Sequence, residues 1–101
     1  MISNKQKLDF GSVKEGTVVK DSFTITNDSG STINIVSINA SCGCTVPNIE
    51  RGPLSNNGTR TVSVSFNTKG RKGSNFKNIN IHYIENSEQK TFSVQLICNV
   101  I

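Results

Sequence analysis

Two cysteines separated by a single glycine, in Ser41-Cys42-Gly43-Cys44-Thr45, are the residues of this chain best suited to chemistry. In an extended strand both sulfurs would project from one side at about 6.5–7 Å spacing, near the upper limit for a disulfide. Gly43 lets the backbone pucker, and a small ring closed that way would be reduced easily. The spacing thus supports a redox thiol pair. The same two sulfurs could hold a soft ion such as Cu(I), whereas Zn(II) would need further ligands that only Cys98 and His82 could supply. A third reading gives Cys42 and Cys44 no chemistry: small, soft side chains fill a narrow place where a strand bends between sheets. Nothing in the sequence marks a perturbed thiol, so packing is the preferred reading and no metal or cofactor is assigned.

Other chemistry-bearing groups are few. The single histidine, His82, falls on the outward face of an expected strand between residues such as Asn80 and Ile84, with no orienting third group to make a Cys/His dyad. No catalytic residue is assigned, and the chain is not expected to be an enzyme. Gly70-Arg71-Lys72-Gly73 lacks phosphate-loop spacing and precedes no helix. The three cations Lys69, Arg71 and Lys72 concentrate positive potential at one turn, and are the interaction candidates, suited to a phosphate or an acidic protein face. Triplets of the glycosylation type occur at Asn27, Asn39 and Asn57, but thirteen Asn and thirteen Ser make such matches easy by chance.

The elements that must position these groups come from a chain of 101 residues, expected to be a single domain over 1–101. Eleven Lys plus Arg against seven Asp plus Glu give +4, but the basic residues are scattered, so nucleic acid is not the expected partner. No apolar run approaches the ~18 residues of a membrane helix, and no membrane partner is expected. Three unevenly placed cysteines do not make a disulfide scaffold.

Period-two alternation bounded by Gly, Asn, Asp and Ser recurs along the chain, which predicts an all-β fold. Lys7–Val13 is the first strand. Thr17–Asn27 places Val19, Phe23 and Ile25 on one face, with Asp21 on that same face and therefore at a rim. Over Thr32–Ala40 the apolar phase changes between Ile35 and Val36, as a β-bulge would produce. Asn48–Gly58 reads as a loop or sheet-switching connection. Thr59–Asn67 turns Val62, Val64 and Phe66 inward; Phe76, Ile79, Ile81 and Tyr83 begin the next strand, closed by a hairpin at Glu85–Glu88. In the last strand Phe92, Val94, Leu96, Cys98 and Val100 share a face, which makes Cys98 core. About seven antiparallel strands in this order suggest an immunoglobulin-like sandwich with Greek-key wiring.

Four stretches together carry a family resemblance: Leu8-Asp9-Phe10-Gly11-Ser12-Val13-Lys14-Glu15-Gly16, Phe23-Thr24-Ile25-Thr26-Asn27, Ser41-Cys42-Gly43-Cys44-Thr45-Val46-Pro47 and Val64-Ser65-Phe66-Asn67-Thr68-Lys69-Gly70. The chain resembles an uncharacterised bacterial family of short Ig-like domains, itself similar to Hydin-type and major-sperm-protein sandwiches. That resemblance covers most of the chain and implies an Ig-like fold used for protein contacts. Family members commonly look exported, whereas Met1 here stands shortly before the first strand, with no signal expected. In that respect the chain is similar to small Ig-like accessory proteins on bacteriophage heads. The resulting expectation is a structural protein on the virion surface, made in the bacterial cytoplasm, whose partner is a major capsid protein or other assembly component. The alternatives are a thiol-redox or Cu(I) protein using Cys42 and Cys44, and an assembly or adhesion domain of the periplasm or envelope.

Overall fold

Alternation of apolar and polar side chains runs through β3 (Val18–Thr26), β7 (Thr59–Asn67), β8 (Gly73–Glu85) and β9 (Glu88–Val100), so each strand has one face that must be covered. Two sheets packed face to face cover all of them. The structure is a computed structural model describing residues 1–101, and it contains strands, turns and bends but no helix. β1 (Ile2–Ser3), β3, β7 and β5 (Thr45–Asn48) form one sheet in the order β1-β3-β7-β5. β2 (Lys7–Val13), β9, β8, β4 (Ile33–Ala40) and β6 (Gly52–Leu54) form the other, in the order β2-β9-β8-β4-β6. Phe23, Ile25, Val62, Val64 and Phe66 from the first meet Leu8, Ile33, Ile35, Ile79, Ile81, Val94, Leu96 and Cys98 from the second. Each is at most 2% exposed. The fold is an immunoglobulin-like β-sandwich.

Three details differ from the sequence expectation. There are nine strands, because β1 and β6 are only two and three residues long and too short to show alternation. β2 runs parallel to β9, from Lys7↔Gln95 to Val13↔Val100, where an antiparallel partner was expected. Most of the chain separates these strands, so no hairpin fixes their relative direction. Phe76 is 57% exposed: it stands three residues before Ile79, an odd spacing that puts it on the opposite face.

The expected bulge in β4 is present as a register shift between Ile35 and Ser37, and Val36 is left facing solvent. A second bulge lies in β2 at Gly11, whose φ of +66° suits glycine and whose N–H donates to Asp9 Oδ1 at 2.9 Å.

Polar hubs tie the loops down. Asn27, fully buried, donates from Nδ2 to the carbonyls of Ser31 (2.8 Å) and Leu54 (2.9 Å), and its Oδ1 accepts from the Ser29 hydroxyl (2.7 Å) and amide (3.1 Å). Its backbone joins Gly58 and Asn57 in the neighbouring loop. A Cβ at Gly58 would stand 2.8 Å from both the Leu54 side chain and the Ser55 carbonyl, so this approach needs glycine.

Sheet edges are guarded as well. β1 covers only the last part of β3; beyond it Lys5 Nζ donates to Asp21 Oδ1 (3.0 Å) and to the Ser22 carbonyl (2.9 Å). Asp21 Oδ1 also accepts from the Ser22 N–H at 2.8 Å, so side chains take edge positions that a neighbouring strand would otherwise use. Burial works to raise the Asp21 carboxyl, but the Ser22 N–H and the Lys5 ammonium outweigh it and hold the group below its usual value. The other edges carry the Gly11 bulge, Pro47 in β5 and Pro53 in β6.

Two outcomes follow from this bonding. Asn27→Asp should lose roughly 2–4 kcal/mol at pH 7, because a carboxylate offers no donor to the Ser31 and Leu54 carbonyls. The fold would raise that carboxyl's pKa, so the loss shrinks as pH falls toward about 4; urea melts showing the same loss at both pH values would contradict the assignment. Lys5→Ser with Asp21→Thr should alter stability by less than about 1 kcal/mol, yet shift light-scattering mass toward larger species than the wild type forms. An unchanged mass would refute the guarding role.

Candidate functional site

Four residues, Ser41 to Cys44, carry the chain from the end of β4 in one sheet to the start of β5 in the other. The Thr45 N–H donates to the Cys42 carbonyl at 3.2 Å, closing a turn that brings the Cys42 and Cys44 Cα atoms to 5.4 Å, and the two sulfurs are bonded to each other. The wider extended-strand spacing is therefore corrected: the turn, not a pleat, sets the geometry. In this bonded state the two sulfurs offer no thiolates; the pair that a Cu(I) site requires would form only on reduction.

Both sheets hold the turn. The Ser41 N–H donates to the Asn78 carbonyl and its hydroxyl accepts from the Asn78 N–H, each at 3.0 Å, while the Cys44 carbonyl accepts from the Asn67 N–H at 3.0 Å. Cys44 packs its partly buried side chain against the core, and its N–H donates to Cys42 Sγ at 3.2 Å. Nothing lies within 4 Å of where a Gly43 Cβ would be, so the turn's tip opens to solvent.

Beside it is an open cleft of about 600 Å³ on the outer face of the β1-β3-β7-β5 sheet. Val18 and Val46, 50% and 61% exposed, line it from β3 and β5, on either side of Ser65 and Asn67 of β7. Cys44 and Gly43 lie along it too, and Lys69 and Arg71 bring positive charge to it. Two features far apart in sequence, the cysteine turn and the basic turn, thus meet in one place.

The basic turn is held from beneath. Thr68, fully buried, donates from Oγ1 to the Thr17 carbonyl at 2.6 Å and from its amide to the same carbonyl at 3.2 Å. Asn75 Nδ2 donates to the Arg71 and Gly73 carbonyls at 2.7 and 3.1 Å. The Gly70 N–H donates to Glu15 Oε2. Lys72, the third expected interaction residue, is not with the other two at the cleft; it reaches Glu15 Oε1 at 3.8 Å.

The remaining candidates stay apart. His82 pairs in register with Ser37 and Thr91, and its Nδ1 lies 3.0 Å from Thr91 Oγ1, well before the turn that follows Ala40. Cys98 is in the core, where burial first and the Asp9 carboxylate second push its thiol above the ordinary value. No three His, Cys, Asp or Glu side chains converge on one point. Sequence reasoning missed Val18 and Val46. The available signal was phase, since Val18 is out of step with Val19, Phe23 and Ile25 and must face outward if they face in.

Alkylation with mass readout checks this geometry. Iodoacetamide should leave the native oxidised protein unlabelled, add to Cys42 and Cys44 after mild reduction, and reach Cys98 only in denaturant. Labelling of Cys98 in the native state, or of Cys42 without reductant, would contradict it.

Comparison with known proteins bears on the fold and the family. No curated protein matches the sequence significantly. Among solved structures, the chain is similar to the ASH / PapD-like domain 7 of human CEP192, with 12% identity, TM-score 0.77, and coverage of 99% of this chain and 84% of that one. It is also similar to SSP-19, an MSP-domain protein like family member in Caenorhabditis elegans, with 9% identity, TM-score 0.73, and coverage of 98% and 99%. The Pseudomonas aeruginosa CupB2 chaperone matches at 11% identity and TM-score 0.70, over 98% of this chain but only 55% of the chaperone. Identities this low establish the shared immunoglobulin-like fold alone. Sequence family is a separate matter: the family described as "Protein of unknown function (DUF1573)" matches residues 1–100, and the chain belongs to it.

Proposed function

We propose that this protein is a non-enzymatic protein-binding module that engages its partner at the cleft between Val18 and Val46. One observation carries the reading: two half-exposed valines flank a polar β7 floor next to the unpaired cations Lys69 and Arg71. Aliphatic walls beside positive charge suit a protein surface that presents aliphatic side chains next to carboxylates. Because the sheet edges are guarded, a face is a better docking element than an added strand. The fold shared with chaperone, ASH and MSP-type domains is consistent with this use.

A capsid protein as that partner, and hence the virion as the place of action, rests on the sequence resemblance alone. The three neighbours above are not named as virion proteins. An envelope location rests on the same resemblance.

A photo-crosslinking residue at position 46, compared with one at position 76 on the opposite sheet, tests the proposal in the native cell. Position 46 should yield one recurrent partner. Val18→Asp with Val46→Asp should cut its capture at least about tenfold while leaving the melting curve close to wild type. Equal crosslinking from both positions, or capture that survives the double variant, would overturn it. Finding the crosslink in particles or in envelope fractions decides the location.

A further inference from the structure

We propose that the Cys42–Cys44 disulfide is a thiol–disulfide exchange site that reacts at Cys44 with a small carboxylate-bearing thiol drawn in by Lys69 and Arg71. This goes beyond partner binding and does not depend on it.

The two sulfurs are not equivalent. Cys44 borders the cleft, with the rest of its side chain packed against the core, whereas Cys42 does not border it. Cys42 Sγ instead accepts the Cys44 N–H at 3.2 Å, a hydrogen bond that stabilises negative charge on Cys42. An exchange needs one accessible sulfur to be attacked and another to leave as thiolate, and a better-stabilised thiolate leaves faster. The turn supplies both. Gly43 adds no side chain over the bond and has open space around it.

Charge defines the co-reactant. Lys69 and Arg71 form no ion pair, while Lys72 on the same turn is drawn to Glu15. Buried Thr68 and Asn75 fix the backbone of the turn that carries the two cations. The cleft is open, so a small thiol reaches it directly from solvent.

The chemistry balances. An incoming thiolate attacks Cys44 Sγ; the Sγ–Sγ bond breaks and its electron pair goes to Cys42. The products are a mixed disulfide on Cys44 and a Cys42 thiolate. A second thiolate then attacks the bound thiol's sulfur, releasing the small-molecule disulfide and a Cys44 thiolate. Two thiols are oxidised and the protein disulfide is reduced by the same pair of electrons, the thiol protons passing to solvent or to the protein sulfurs. The reverse sequence reoxidises the protein.

The oxidised full-length protein is mixed with reduced glutathione, 2-mercaptoethanol or cysteamine at matched thiolate concentration, and acid-quenched samples are mapped by mass. At low ionic strength the anionic thiol should react at least about tenfold faster than the cationic one. That advantage should shrink in high salt, vanish in Lys69→Gln with Arg71→Gln, and persist in Lys72→Gln, and the trapped adduct should map to Cys44. Rates indifferent to thiol charge, an unchanged ratio in the double variant, or an adduct on Cys42 would each overturn the proposal.

Discussion

Burial of two inner faces against each other is the constraint on which everything else in this protein depends. Phe23, Ile25, Val62, Val64 and Phe66 are covered by Leu8, Ile33, Ile35, Ile79, Ile81, Val94, Leu96 and Cys98, and sheets packed this way stand about 10 Å apart. Every connection between sheets must span that thickness. The crossing from β4 to β5 does so in four residues that form a tight turn, closed by a disulfide and moored to Asn78 and Asn67. The candidate site lies at one of these crossings, fastened to both sheets.

Polar side chains at the loops do the complementary work. A sandwich rim exposes carbonyls that have left the ladder, and buried ones need donors. Asn27, Thr68 and Asn75 supply them from inside: at the loop next to β6, at the turn joining β2 to β3, and under the basic turn. Each is a residue that composition alone would assign to the surface. Here they keep the loops in fixed shapes, so the turn that carries the cations is held beside the cysteines.

Much of this was legible in the sequence, because alternation reports directly on burial. Val62, Val64 and Phe66, the inward Cys98, the rim position of Asp21 and the bulge of β4 all follow from phase. Phase also fails in identifiable ways. It says nothing about strand partners far apart in sequence, so the parallel pairing of β2 with β9 was hidden. It needs several residues to register, so β1 and β6 were invisible. The cysteine turn reads as pleated in the sequence because three residues carry no period of their own; what bends them, the sulfur–sulfur bond and the moorings to Asn78 and Asn67, belongs to the assembled fold. The convergence of Lys69 and Arg71 with Cys44 was hidden for the same reason.

The parallel edge formed by β2 and β9 has a mechanical corollary. Lys7 opens one strand and Val100 closes the other at the far end of the pair, so tension applied through the chain on either side would slide the two along each other. Their cross-strand bonds would then share the load and fail together, where a hairpin pulled from its open end unzips one bond at a time. A sandwich wired in this way resists stretching most strongly along the line that joins its flanks.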